Sequence, residues 1–423
     1  MNLDETRRKM RMKFNKSSQL LLVSAASLLV ASLLTACSQL TQTLTVDFVY
    51  VASSKAAGTD NYGEIDIYEV NSESGRMRQI PASPVPSGGR YPIAEAVSSD
   101  NANLFVVNQD DNNIVQFVIG NDGKLYPFNT VNTPGIFPLA IAANANNLVV
   151  VDTYQPLPSC SNAAPCSGSV AVFPLTAATK SVPVAIGPPA INSGISSNYW
   201  PLTLAGSPAD VIVPTGVNLL ASGSYVYVTA YDSSVVPNVG YVFGFSVGSG
   251  GVLTPLAGSP FSAGIRPSAI ASDATGKFVY VTDYTRGNVL GFSVASGLLT
   301  PLAGSPFRAG SAPSAIVVDP SFGFAYVANS TDSTVTAYSI SSGALTTVGT
   351  YTTGLQPVAI GIDPSTNHFL YTVNFLGNNV TGFQLSQSAG TLLDAQYSPF
   401  VSNNQPTAVA AIPHNGTGAG VKQ

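Results

Sequence analysis

Charge is scarce in this 423-residue chain: only 9% is Asp, Glu, Lys or Arg, against 45% hydrophobic. Global disorder is thereby excluded, since a disordered chain needs many charges and little to bury. Histidine is scarcer still, with His368 and His414 the two copies. Three cysteines without a His cluster cannot complete a structural zinc site, and no metal is expected. No basic patch lies beyond the extreme N-terminus, so there is no electrostatic footprint for DNA or RNA. No G-x-S-x-G elbow follows a strand and no G-x-x-x-x-G-K-[ST] phosphate loop occurs, which argues against nucleotide chemistry; no cofactor is called for. The 38 Gly and 30 Pro show no G-x-y period, which excludes collagen. They interrupt the chain too often for long helices and suit short strands joined by turns.

What is present begins with an address. Arg7, Arg8, Lys9, Arg11, Lys13 and Lys16 precede an uncharged stretch from Ser17 to Ala36, ending in Leu34-Thr35-Ala36-Cys37. This pattern reads as a secretory signal over residues 1–36. Its ending resembles the lipobox of bacterial lipoproteins, which implies that Cys37 becomes the lipidated N-terminus, followed by a linker to residue 46. A membrane span is the alternative, because about 20 apolar residues can cross a bilayer. Ser38 after the Cys, by the same resemblance, implies the outer membrane. Loss of the leader leaves 11 bases against 20 acids, a net charge of −9, so the acyl anchor alone would hold the protein to the membrane. Cys160 and Cys166, in the Pro/Ser/Ala-rich run CSNAAPC of an exported chain, are expected to form a local disulfide.

Internal similarity dominates the remainder. VLTPLAGSPF at 252–261 returns as LLTPLAGSPF at 298–307, and a P-x-A-I block precedes an aromatic-Y-V-T/A block at Arg266, Ala312 and Gln356. Four-residue blocks of the form YVTN start at Tyr50, Phe105, Val149, Tyr227, Tyr280, Tyr326 and Tyr371. The unit is about 45 residues, with an insertion at about 153–200 that holds the cysteine pair. Each unit reads as four strands separated by Gly, Asp or Ser turns, as in SDATGK, DYTRG and ASG. These features predict an all-β, seven-bladed β-propeller over residues 47–412 with four-stranded blades. The first YVTN block lacks a preceding P-x-A-I strand, whereas the chain ends on Pro406-Thr407-Ala408-Val409 with no YVTN block after it. The N- and C-terminal strands are therefore expected to pair and close the ring, leaving 413–423 as a tail.

The YVTN blocks, P-x-A-I strands and T-P-L-A-G-S-P-F turns resemble the bacterial YVTN-repeat proteins and the seven-bladed lactonase family, which includes propeller-type 6-phosphogluconolactonases. The resemblance implies a His after the Pro anchor and a Glu after the YVTN Asn in particular blades. The chain departs from that pattern: Ile93, Leu139, Thr215, Ser268, Ser314, Val358 and Thr407 follow the anchors, and no Glu follows the blocks. A lactone hydrolase needs a base and groups that stabilise an oxyanion, so the resemblance alone assigns no catalytic residue.

Alternate turns of an up-and-down blade emerge on opposite faces, and one face collects the loops after each YVTN strand and before each Pro anchor. It should carry Arg90, Arg266, Arg286 and Arg308, with Asp110, Asp111, Asp152, Asp232, Asp283 and Asp332. The arginines are candidate ligand-binding residues, because guanidinium offers a planar fork to carboxylate or phosphate; surface or inter-blade ion pairs are the alternative. The aspartates suit Asx turns and lack EF-hand spacing. The expected function is a lipid-anchored envelope module that binds a small molecule, glycan or envelope protein through this face, with lactone hydrolysis at a rearranged site as the alternative.

Overall fold

A computed structural model describes residues 45–54, 61–71, 73–177, 184–321, 323–363 and 369–413. The leader, Cys37, His368, His414 and the tail lie outside these residues. The described chain is all-β apart from one turn of 3-10 helix, Ser249–Gly251. No helix among the described residues is long and apolar enough to cross a membrane.

Seven antiparallel sheets follow one another as blades. Blade 1 is built from both ends of the ring: its inner strand is Pro406–Pro413, hydrogen-bonded along Thr45–Ser53, with Glu64–Asn71 next. The inner strands of blades 2 to 7 are Pro92–Val97, Ile136–Ala143, Ile212–Leu219, Pro267–Ser272, Pro313–Val318 and Pro357–Ile362. The second strands carry the YVTN blocks. They are almost wholly buried, as in Asn103–Asn108 and Phe324–Asn329, because each lies between two strands of its own blade while neighbouring blades cover both faces. Their continuous apolar runs follow from that two-sided burial.

The motifs of the repeat are joints between blades. Proline has no N–H to give to the ladder, and in all seven blades the register slips just after it, leaving the x of P-x-A as a bulge. The bulged hydroxyl is then available to the next blade: Ser268, Ser314 and Thr407 donate to the anchor carbonyls of Pro313, Pro357 and Pro92. The position at which the family resemblance implies a His thus serves as a staple. The YVTN tyrosine makes a second joint. Tyr50, Tyr227, Tyr280 and Tyr326 donate across to the carbonyls of Gly123, Gly297, Gly343 and Gly390, each in the turn before the next blade's outer strand.

A Ser-Pro turn, spelled A-G-S-P in blades 4 and 5, divides the outer strand. Blades 1, 4, 5 and 7 have two short outer pieces, such as Leu253–Pro255 and Phe261–Ser262, and the interruption would leave a third-strand N–H unpaired. The serine fills that role: Ser83, Ser259, Ser305 and Ser398 accept from Ile67, Gly244, Gly291 and Gly382 at 2.8–3.0 Å. The stretch 153–200 is in two parts. A loop closed by the Cys160–Cys166 disulfide comes first, the third strand of blade 3 (Ser169–Thr176) follows, and an irregular segment separates Ala185–Ile186 from Trp200–Pro201. Ser167 pins the first part to blade 4 by donating to Asp210 and accepting from Ile212.

Candidate functional site

The loop-rich face is organised by the last residue of each YVTN strand. In blade 5 the fully buried Asp283 accepts from the backbone N–H groups of Ile265 and Arg266 in one loop, and of Thr285 and Arg286 in another. Asp152 does the same for Gly135, and Asn329 for Gly310. Asp111 and Asp332, further out, accept from Arg90 and Ser311. Most aspartates of this face therefore fold loops, as expected of Asx-type turns. Among the described residues no group of three His, Cys, Asp or Glu is placed to hold a metal ion.

The four candidate arginines separate into three settings. Arg90, at the entry to blade 2, is engaged by Asp111: its Nε donates at 2.7 Å and its terminal nitrogen lies 2.6 Å from the same oxygen. Burial works to raise the Asp111 carboxyl, but Arg90 outweighs it and holds it below the usual range. Arg266, at the entry to blade 5, lies over the rings of Tyr231 and Tyr284. Arg286 and Arg308 come together. They line one cavity of about 610 Å³ between the loops of blades 5 and 6, with Thr285, Ser311 and Asp332. Of the four candidates the fold brings Arg286 to Arg308, while Arg90 stands three blades from Arg266. Neither Arg286 nor Arg308 has a carboxylate within ion-pair distance among the described residues.

One buried acid escaped the sequence reading. Glu95 occupies the place in P-x-A-I that is Ile or Val in the other six repeats. It pairs with Val106, whose side chain packs with Tyr50 in the core between blades 1 and 2. Both carboxyl oxygens are buried without a hydrogen bond among the described residues, and burial pushes the group up to about 8. The repeat alignment held the signal, at the third residue after the anchor. A second spelling is inert: Gly244-Phe245-Ser246-Val247-Gly248 matches G-x-S-x-G but lies along the third strand of blade 4, where Ser246 donates to Thr254 rather than topping a turn.

Residues 299–411 match the family model of lactonases with a seven-bladed β-propeller. The propeller is lactonase-like. Solved structures agree in fold. A candidate 6-phosphogluconolactonase from Bacteroides fragilis superposes with a TM-score of 0.68 at 18% identity, covering 88% of this chain and 99% of that one. The periplasmic gluconolactonase of Pseudomonas aeruginosa gives 0.65 at 17% identity, covering 86% and 98%. No curated protein matches the chain. At these identities the likeness is one of architecture, and the lactonase-like ring must be read for chemistry from its own residues.

Proposed function

We propose that this chain is an exported propeller, lipid-anchored through Cys37 in the bacterial outer membrane, that binds small organic anions of the sugar-acid class at its loop-rich face. The observation that carries the reading is the cavity between blades 5 and 6, where two cations, Arg286 and Arg308, meet against one acid, Asp332, with neither arginine in an ion pair among the described residues. Two unpaired cations cost stability through mutual repulsion, and an anion between them removes that cost. Thr285 and Ser311 supply hydroxyls beside them, suited to a polyhydroxylated ligand.

Calorimetric titration with gluconate and 6-phosphogluconate tests the reading. Binding should weaken at least 10-fold in Arg286→Gln and in Arg308→Gln, as expected for the loss of a charge-assisted hydrogen bond of about 1.5–3 kcal/mol. Unchanged binding in both variants would refute it. The second reading, hydrolysis of sugar lactones, is supported by the lactonase match and by what the two neighbours are called. Turnover of gluconolactone that is lost in Arg286→Gln would favour it, while binding without turnover favours the module. For the anchor, mass spectrometry of envelope protein should find an acylated Cys37 peptide; an intact Met1 terminus would exclude it.

A further inference from the structure

Arg266 is held in a way that prepares it for a ligand. Its Cζ lies 5.3 Å from the Tyr231 ring centroid and 5.2 Å from that of Tyr284, one ring from blade 4 and one from blade 5. Its backbone N–H is bound by Asp283. Its guanidinium has no hydrogen-bond or ion-pair partner among the described residues. Contact with aromatic faces uses the π-faces of a guanidinium and leaves its five N–H donors in the plane, pointing outward. The rings also restrict the long side chain, so less entropy is lost when an anion docks on that fork.

Arg266 does not line the cavity itself, but its contact Tyr284 stands close to it. Tyr284 starts the loop that continues through Thr285 and Arg286, both of which line the cavity, and Cα atoms two residues apart are separated by at most about 7 Å. The backbone stretches that bear Arg266 and Arg286 converge on the one Asp283 carboxylate, which fixes their spacing. A ligand with a single anionic group satisfies Arg286 and Arg308 and leaves Arg266 unused.

We infer that the site takes a small molecule with two anionic groups separated by a short chain, one held by Arg286 and Arg308 and the other by Arg266. This rests on the reading of the cavity as an anion site. In that arrangement Arg266 selects for length. A diacid too short to bridge gains nothing over a monoacid, whereas a spanning one gains a second charge-assisted contact without losing further translational freedom.

The test uses the purified protein at constant ionic strength, with acetate as the monoanion and malonate, glutarate, adipate and suberate as dianions of increasing length. One of the dianions should bind at least 10-fold more tightly than acetate. Arg266→Gln should bring that dianion down to the affinity of acetate and leave acetate itself unaffected, while Arg286→Gln weakens both. Tyr231→Leu, which keeps the cation and removes a ring, should give an intermediate loss for the dianion alone, and it serves if Arg266→Gln does not fold. Equal affinity for acetate and every dianion, or an Arg266→Gln variant that retains the full dianion advantage, would overturn the inference. Acetate binding that is indifferent to both Arg286→Gln and Arg308→Gln would instead overturn the underlying cavity reading.

Discussion

The hydroxyl of Thr407 donates to the carbonyl oxygen of Pro92 at 2.7 Å, joining the final strand of the chain to the first complete blade. Together with the ladder from Asp47–Pro413 to Ser53–Pro406, this makes the last strand part of the ring. Deleting residues 404–423 should strip the inner strand from blade 1 and lower the melting temperature by more than 10 °C, or abolish folding. Deleting only 415–423 should shift it by less than about 2 °C. Calorimetry on the two truncations decides the matter; equal melting would contradict closure.

The tyrosine joints allow a comparison within one molecule. Tyr227→Phe, Tyr280→Phe and Tyr326→Phe each leave a buried glycine carbonyl without its donor and should each cost about 1–2 kcal/mol. Tyr371 is as deeply buried, but its hydroxyl has no hydrogen-bond partner among the described residues. Tyr371→Phe should therefore be neutral or stabilising. Urea denaturation of the four variants measures the contrast, and an equal cost at Tyr371 would show that the hydroxyl is not the source of the effect.

Glu95 predicts a pH dependence with a definite sign. Its carboxyl is pushed up from the ordinary 4.5 to about 8 by burial, so the folded state holds a proton that the unfolded chain releases. The contribution of this group to stability is fully present below pH 4.5 and is lost as pH rises through about 8. Relative to Glu95→Gln, the wild type should lose roughly 4 kcal/mol between pH 5 and pH 9, groups common to both cancelling. Glu95→Ile, which restores the repeat, should stabilise at pH 7 by filling the core with an apolar side chain. Parallel profiles for wild type and Glu95→Gln would show that the carboxyl does not titrate in this range.

Asp283 ties two loops to one strand end. Asp283→Ala leaves four backbone N–H groups to find new partners, and should destabilise by about 2–3 kcal/mol. The same change should weaken anion binding, because it releases the loops of both Arg266 and Arg286. Asp283→Asn, which can keep the oxygen that accepts from Arg266, Thr285 and Arg286 and loses only the acceptor for Ile265, should recover most of the stability. Thermal melts with parallel titrations check both effects.

The architecture could be read from the chain because Pro anchors and YVTN blocks recur with the spacing of a blade, and strand parity told one face from the other. Parity does not say where around the ring a residue stands. Arg90 and Arg266 share a face but sit three blades apart, a separation invisible in sequence, as was the meeting of Arg286 with Arg308 across a blade boundary. The serine of A-G-S-P and the hydroxyl after the anchor were visible as letters. Their roles depend on a divided strand and a bulge, which appear only once the ladders are drawn. Glu95 was obscured because the family pattern concerns the residue directly after the anchor, whereas Glu95 is the third, a place the other repeats fill with Ile or Val.

Because the inner strand of blade 1 is made some 350 residues after the strand it pairs with, the ring stays open until Pro406–Pro413 has left the ribosome. Blades 2 to 7 can pair their own strands as they appear, since each is contiguous in the chain. Blade 1 alone must wait, holding the edge of Thr45–Ser53 unpaired for the time needed to make some 350 residues. A chain cut short by premature termination therefore exposes that edge for good, which marks it for proteolysis or aggregation rather than for service as a shortened propeller.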